Sequence, residues 1–177
     1  MQPRNCTTCS RCCRLCVYIV KMNIAVRDAT LQDAKAIVQC LARAFELYQA
    51  SYTPGAFADT ILDADSLERR FASMSLLVAH TDEGTVIGTL CYVPSSLDEG
   101  HLRGMAVLPE FQGIGVAEML LSRAESELKL KGCKFISLDT TAPLQRAIIF
   151  YQKHGYRRSG KVSDFFGMPL YEYVKYI

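Results

Sequence analysis

RGMAVLPEFQGIGVAEMLL, residues 103–121, contains an apolar strand, a loop with two glycines and the start of an amphipathic helix. Pro109 ends the strand, because proline cannot donate a hydrogen bond to a sheet ladder. Gly113 and Gly115 lie two residues apart in the loop that follows. A helical pattern begins directly after them, since apolar residues recur on one helical face. Those residues are Ala117, Leu120, Leu121, Ala124 and Leu128.

A strand, a glycine-containing loop and a helix in this order favour binding of an anion. The first N–H groups of the helix have no partner within the helix, and the helix dipole adds partial positive charge there. Glycine also lets a phosphate approach the backbone closely. The stretch lacks the Gly-Lys-Ser/Thr ending of a P-loop and the third glycine of a dinucleotide-binding fingerprint. We therefore expect a site for a pyrophosphate-like group; an ordinary strand-to-helix turn is the alternative.

Length and composition indicate one globular domain. The chain has 177 residues, half of them hydrophobic and 21% charged, which suffices for a substantial core. No apolar run reaches the roughly 18 residues that a membrane-spanning helix needs. Residues 1–21 contain four basic residues and no acid, which leaves 16 basic and 18 acidic residues in the remainder. Because the main body has no basic bias, we expect neither a nucleic-acid nor a membrane partner.

The first 21 residues form a cysteine-rich N-terminal extension. Their five cysteines are spaced like ligands of zinc or an iron–sulfur cluster, but no second ligand pair follows at zinc-finger distance. These are Cys6, Cys9, Cys12, Cys13 and Cys16. A non-functional extension with Met22 as the natural start is favoured, and a metal or redox tag and a signal peptide are the alternatives. We assign no metal ligands, and we expect Cys40, Cys91 and Cys133 to be buried residues of a reducing, cytoplasmic protein.

The chain from residue 22 onward alternates between strand and helix signals. Recurrence at helical spacing predicts four helices, at residues 30–48, 56–73, 116–131 and 143–154. Alternating and β-branched runs predict seven strands, at residues 23–27, 75–80, 85–93, 101–108, 133–140, 156–162 and 169–176. Thr30 and Asp33 fit a variant of the capping box at the start of the first helix.

Two segments and the order of elements closely resemble the GNAT superfamily of N-acetyltransferases. Gln112-x-x-Gly115-x-Ala117 after a strand resembles the family's coenzyme A motif. AIIFYQKHGY, residues 147–156, resembles a second family segment with Tyr at its fifth position and Gly at its ninth. The resemblance covers residues 22–177. It implies an α/β (mixed α+β) fold with a central mixed sheet of about seven strands, about four flanking helices and a V-shaped splay between the central strands.

The resemblance implies acetyl-CoA as the cosubstrate. The pantetheine arm would pair with the backbone of Met105, Ala106 and Val107, because its two amides imitate a strand, and an N–H at or beside Val107 would polarise the carbonyl. The pyrophosphate would meet the loop and helix start, at Gln112, Gly113, Ile114, Gly115, Val116 and Ala117. Many family members have Asn where this chain has Leu144. That contact is therefore expected to pass to Thr140 or Thr141, or to be lost.

Acetyl transfer to an amine requires a neutral amine and a proton for the leaving thiolate. A primary amine with a pKa near 10 is only about one part in a thousand neutral at pH 7, so a base is valuable. By the family match, Tyr151 lies beside the cofactor sulfur as acid or orienting donor; a packed helix tyrosine is the alternative. Glu99 and His101 stand where family members place a base acting through water, with strand-edge positions as the alternative. Asp139 could serve instead.

The expected function is direct acetyl transfer from acetyl-CoA to a primary amine of a small molecule or peptide in a ternary complex. No Cys–His or Ser–His pair is spaced for a covalent acyl-enzyme. A non-catalytic acyl-CoA-binding regulatory or interaction module is the alternative, and a metal-responsive protein built on the N-terminal cysteines is a third. Loops at residues 52–73, 94–100 and 161–169 would select the acceptor, whose identity the sequence leaves open. Exposed tyrosines of the last strand suggest a homodimer.

One group of acids lies in the second predicted helix and its surroundings. Asp59, Asp63, Asp65 and Glu68 could attract a cationic amine, although a solvated helix face is the favoured interpretation. The segment Phe165-Phe166-Gly167-Met168-Pro169 either walls the acceptor pocket or forms a packed hairpin loop.

Overall fold

The structure, a computed structural model, describes residues 23–177. Within this range seven strands form one sheet: β1 (Ile24–Asp28), β2 (Ser75–Thr81), β3 (Val86–Pro94), β4 (Glu99–Val107), β5 (Phe135–Thr141), β6 (Arg157–Phe165) and β7 (Met168–Tyr176). The same range contains five α-helices: α1 (Ala34–Phe45), α2 (Pro54–Ile61), α3 (Ala64–Ser73), α4 (Val116–Leu130) and α5 (Gln145–Lys153). The strand order is β1-β2-β3-β4-β5-β7-β6. Strands β4 and β5 run parallel, and the other neighbours are antiparallel.

The predicted mixed α+β fold with a seven-stranded sheet is confirmed, with differences at the boundaries. The helix predicted over residues 56–73 is two helices, because Leu62 adopts a φ of 57° and ends α2. The Asp63 carboxylate then accepts from the Ser66 N–H and caps α3. Strand β4 begins at Glu99, two residues earlier than predicted, since Gly100 already pairs with Pro94. Pro143 precedes α5 instead of lying in its first turn.

The homodimer suggested by the tyrosines of the last strand stays a prediction, but the strand order restricts how the sheet could be extended. Strand β7 lies between β5 and β6, so both of its edges are paired. Tyr173 is buried, and Tyr171 packs beneath the Arg158 guanidinium, 4.0 Å from its ring centre. Sheet extension by a second copy would have to use β1 or β6, the outer strands.

Several sequence expectations concern the cysteines and the chain outside the described residues. Cys40, Cys91 and Cys133 are buried free thiols, as predicted. Cys6, Cys9, Cys12, Cys13 and Cys16 lie outside the described residues, and the domain limits at 21 and 22 stay a prediction. None of the helices found between residues 23 and 177 is both long and apolar enough to cross a bilayer.

Helix α4 lies directly on the sheet because two glycines leave room for it. A Cβ on Gly100 would come within 2.6 Å of Leu128, and one on Gly88 would come within 3.1 Å of both Leu120 and Val116. The buried face of α4 therefore contacts β3 and β4 at close range. Its N-terminus is held at the end of β4 from which the glycine loop emerges.

Strands β4 and β5 diverge after a short paired region. They pair from Glu99 with Phe135 to Leu102 with Leu138, and no further. On the other side of β4, Cys91 faces Arg103 whereas Thr89 faces Ala106, so β4 carries one extra residue. This β-bulge, with Gly104 at a φ of 65°, bends the strand away from β5. The predicted V is therefore present, and β4 is not paired with β5 beyond Leu102.

An ion pair joins β1 to the start of α1. Asp33 accepts hydrogen bonds of 2.8 Å from Arg27 Nη1, Arg27 Nη2 and the Thr30 N–H, the last being the acid's half of the predicted capping box. The hydrogen bonds from Arg27 hold the pKa of Asp33 well below its usual value.

Asp33→Asn should lower the free energy of unfolding by about 2 kcal/mol at pH 7, because hydrogen bonds to a charged acceptor are lost. A depressed native pKa stabilises the fold above the unfolded pKa of about 3.9, and this contribution fades as the pH falls towards the native value. Urea denaturation should therefore show a smaller difference between wild type and variant at pH 3 than at pH 7. Asp82→Asn, in the exposed β2–β3 turn, is the matched control. Equal stability of Asp33→Asn and wild type at pH 7 would contradict this account.

Candidate active site

A cavity of about 630 Å³ opens where β4 and β5 diverge. Most of the residues predicted from the sequence line it. These are His101, Met105, Ala106, Val107, Gln112, Gly113, Gly115, Val116, Ala117, Thr140 and Tyr151. Ile114 is 55% exposed on the outside of the loop, and Glu99 lies behind His101 and does not line the cavity.

The glycine loop presents the N-terminus of α4 to the cavity. Gly115 is the N-cap residue with a φ of 95°, and Gly113 has a φ of 82°. A Cβ at either position would meet nothing within 4 Å, so the backbone conformation, not the space, requires glycine. The Met119 N–H donates to the Gly115 carbonyl as the first helical bond. The N–H groups of the preceding helical residues have no acceptor within the helix and are available to an anion.

Gln112 connects the glycine loop to the end of β4. Its Nε2 donates to the Val107 carbonyl oxygen over 3.0 Å. The contact of this side chain with a phosphate oxygen stays a prediction.

The two threonines at the end of β5 differ in what they contact. Thr141 Oγ1 is hydrogen-bonded to the Tyr52 hydroxyl at 2.7 Å. Thr140 Oγ1 is buried without a hydrogen-bond partner among the described residues, although Thr140 lines the cavity. A buried polar atom without a partner is unfavourable, and a ligand amide would satisfy it. Thr140 is thus the threonine available to a bound molecule.

Tyr151 is held at the centre of the cavity wall by α5. Its ring packs against Phe150 and Tyr156, and its hydroxyl donates to Met105 Sδ at 3.6 Å. Burial raises the pKa of Tyr151. The phenol therefore stays protonated at neutral pH. Because the Met105 thioether is a weak acceptor, little is lost when the hydroxyl donates to a stronger acceptor instead.

A hydrogen-bonded row of polar residues crosses from β4 to β5. Ser137 Oγ donates to Glu99 Oε1 at 2.5 Å and lies 2.9 Å from His101 Nδ1. Because the serine hydrogen points to Glu99, His101 Nδ1–H must be the donor to Ser137. His101 Nε2 is then the free nitrogen, 3.8 Å from Asp139 Oδ2. Burial lowers the pKa of His101 and raises that of Asp139.

The row includes one residue that the sequence reasoning missed. Ser137 and Asp139 alternate with the apolar Ile136 and Leu138 along β5, and Ser137 pairs directly with His101. That alternation was the available signal. Asp139 lies within β5 opposite Glu172 and does not cap a turn.

The other end of the cavity carries charges and aromatic rings. Asp59 pairs with Arg103, with 2.5 Å between the carboxylate and Nη2. Asp59 lines the cavity, whereas Asp63 caps α3, and Asp65 and Glu68 are exposed. Arg70, a buried residue of α3 that the sequence reasoning missed, also lines the cavity. Apolar walls come from Phe45, Tyr48, Tyr52, Phe165 and Leu170.

The β6–β7 turn fulfils both roles considered for it. Phe165 lines the cavity, and Thr53 Oγ1 donates to the Phe166 carbonyl at 2.8 Å. The hairpin is therefore packed against the start of α2 and forms part of the wall as well.

A V-shaped cleft between parallel strands, a helix start whose first N–H groups lack helical partners and a buried tyrosine define the class of acetyltransferases that the sequence resembles. Residues 41–156 match the family model described as the acetyltransferase (GNAT) family. The chain belongs to this family, as its two motifs and its order of elements predicted.

Solved structures confirm the fold. The PaiA N-acetyltransferase of Thermoplasma acidophilum, in complex with coenzyme A, superimposes with a TM-score of 0.73 at 20% identity, covering 88% of this chain and 100% of that one. Ard1 of Thermoplasma volcanium gives 0.70 at 17% identity, covering 87% and 97%. A GNAT family acetyltransferase of Elizabethkingia anophelis with acetyl-CoA bound gives 0.59 at 17% identity, covering 88% and 99%.

Proposed function

We propose that this protein transfers an acetyl group from acetyl-CoA to a primary amine of a small molecule or peptide, directly and in a ternary complex. The proposal rests on the groups that line a single cavity. The glycine loop and the unpartnered Thr140 hydroxyl lie on its cofactor side, and the His101 row lies at the start of β4. Met105, which receives the Tyr151 hydroxyl, lies between them along β4.

The residues present fit acetyl-CoA. The backbone of Met105, Ala106 and Val107, which is not paired with β5, suits the pantetheine amides, and the loop from Gly113 to the start of α4 suits the pyrophosphate. Thr140 takes the place of the asparagine that many relatives have where Leu144 stands. Coenzyme A or acetyl-CoA is present in two of the similar structures. When bound, acetyl-CoA supplies an activated thioester.

The protein's own groups manage the two protons of the reaction. His101 Nε2 accepts a proton from the ammonium form of the acceptor, directly or through water. The resulting imidazolium is stabilised through Nδ1–H, Ser137 and the Glu99 carboxylate, and by Asp139. The neutral amine then forms the C–N bond as the C–S bond breaks, and its nitrogen loses a second proton as it becomes the amide. Tyr151 donates its hydroxyl hydrogen to the leaving sulfur and takes up the proton that this nitrogen releases, so the thiol leaves protonated and the tyrosine is restored.

The buried free thiols Cys40, Cys91 and Cys133 fit a reducing compartment, and we propose the cytoplasm on that ground. Burial raises the pKa of Cys91 to about 11 and that of Cys40 to about 12, so neither is a thiolate at neutral pH. Direct transfer is therefore preferred to an acyl-cysteine route.

Tyr151→Phe should lower kcat for acetylation of a primary amine by about 100-fold, the lower end of general acid catalysis, while the KM for acetyl-CoA changes little. The phenyl ring keeps the packing, so only the hydroxyl is lost. The measurement is thiol release from acetyl-CoA with a panel of amines, with isothermal titration for binding. Tyr176→Phe, at an 81% exposed position, is the control. Acetyl-CoA binding without turnover on any amine would favour the non-catalytic acyl-CoA-binding module instead.

A further inference from the structure

Arg70 is a buried cation without an acidic partner. The residue is 9% exposed, and it forms no salt bridge within residues 23–177. Burial lowers the pKa of Arg70, but an arginine remains charged at neutral pH. A buried charge without a counter-ion is costly, so this position requires an explanation.

The neighbours of Arg70 do not supply the missing charge. The Cys91 thiol beside the same glycine, Gly104, stays protonated because burial raises its pKa to about 11, and a thiol is a weak acceptor. The carboxylate of Asp59, which also lines the cavity, is already paired with Arg103. The guanidinium of Arg70 therefore lines the cavity without a carboxylate paired to it among the described residues.

The guanidinium lies close to the reacting region. A Cβ built on Gly104 would be 3.1 Å from Arg70 Nη1, so the guanidinium packs on the bulge of β4. Along β4 the bulge separates His101 from the backbone of Met105 to Val107. His101 lies three residues before Gly104 on the same strand and lines the same cavity, so a negative group held by Arg70 would suit a molecule whose amine lies at His101.

We propose that the acceptor carries a carboxylate close to its primary amine, as an amino acid does, and that Arg70 binds this carboxylate. This inference rests on the proposed acetyl transfer. Arginine matches a carboxylate through two parallel hydrogen bonds. A doubly charged phosphate fits less well, because Asp59 and Asp139 also line the cavity. The walls formed by Phe45, Tyr48 and Phe165 favour an apolar or aromatic side chain.

The test compares acceptors that differ only in the carboxylate. L-phenylalanine is paired with 2-phenylethylamine, and L-leucine with 3-methylbutylamine. Equilibrium binding of N-acetyl-L-phenylalanine and N-acetyl-2-phenylethylamine to the full chain with coenzyme A, by isothermal titration, gives a readout that needs no turnover. Both measurements are made on wild type, Arg70→Met, Arg70→Lys and Arg69→Met. Arg69 is the exposed neighbour on α3 and serves as the control.

Wild type should prefer the carboxylated member of each pair by about 100-fold in kcat/KM and in affinity, the scale of a charge-assisted bidentate contact. Arg70→Met should bring the preference to near unity by weakening the carboxylated member alone. Arg70→Lys should retain part of it, and Arg69→Met all of it.

Three outcomes would overturn the inference: equal use of both members by wild type, an equal loss for both in Arg70→Met, or acetyl-CoA binding without any reaction or binding of the carboxylated probes. In each of these cases the proposed acetyl transfer survives if an amine without a carboxylate is acetylated. An absence of acetyl-CoA binding by wild type would instead remove the proposed function itself, and the inference with it.

Discussion

Replacing Gly115 by glutamate is expected to abolish acetyl-CoA binding. A new carboxylate would stand at the N-cap of α4, where the free N–H groups are proposed to hold the pyrophosphate. Repulsion between unit charges 4 Å apart near a protein surface is about 4 kcal/mol, so the dissociation constant should rise by about 10³-fold. Isothermal titration with acetyl-CoA on wild type and variant measures the effect.

The control must separate repulsion from backbone strain, because Gly115 has a φ of 95° and any side chain is strained there. Gly84 has a φ of 83°, its Cβ would likewise meet nothing within 4 Å, and it lies in the β2–β3 turn, which does not line the cavity. Gly84→Glu should therefore lose similar stability in thermal unfolding and bind acetyl-CoA normally. Gly115→Ala, which adds strain without charge, should weaken binding by a few-fold only. Undiminished binding to Gly115→Glu would place the pyrophosphate elsewhere.

The glycine loop could be predicted because its signals are local. Pro109, Gly113 and Gly115 act on their own backbone, and the apolar face of α4 follows from helical spacing alone. The predicted face included Ala117, which is only partly buried in the structure, whereas Val116, which was not predicted to belong to this face, is buried. Helical periodicity defines a face to within about one residue, and contact with the sheet decides between neighbours.

The acceptor end could not be predicted, because its residues come together only through tertiary structure. Arg70 is far from His101 in sequence, and on α3 it sits beside the exposed Arg69 as one more charged residue. Arg70 packs on the β-bulge at Gly104, and no local sequence pattern predicts that bulge. The break between α2 and α3 was not predicted either, because it depends on the positive φ of a single residue, Leu62, which is not a residue type that favours this conformation. Thr140 and Thr141 were equivalent as sequence, and the Tyr52 hydroxyl distinguishes them.

His101→Gln is expected to lower kcat by about 10³-fold at pH 7, within the range of general base catalysis. Glutamine can still donate to Ser137 Oγ, so the row to Glu99 is kept while the titrating nitrogen is removed. In wild type the base must be unprotonated, and burial lowers the pKa of His101 below its usual 6.5. Activity should therefore be full at pH 7 and fall as the pH drops through this lowered value. The acid limb of the pH–kcat profile should be absent in His101→Gln.

The controls for this prediction distinguish the base from its supports. His80 bonds the Thr81 carbonyl and does not line the cavity, so His80→Gln should leave the profile unchanged. Glu99→Gln should keep the acid limb and shift it to lower pH, because the imidazolium loses the charge that stabilises it through Ser137. If Asp139→Asn removes the limb and His101→Gln keeps it, the carboxylate whose pKa is raised by burial is the base. His101 would then orient the Asp139 carboxylate, and Asp139 on β5 would accept the proton instead of His101 on β4.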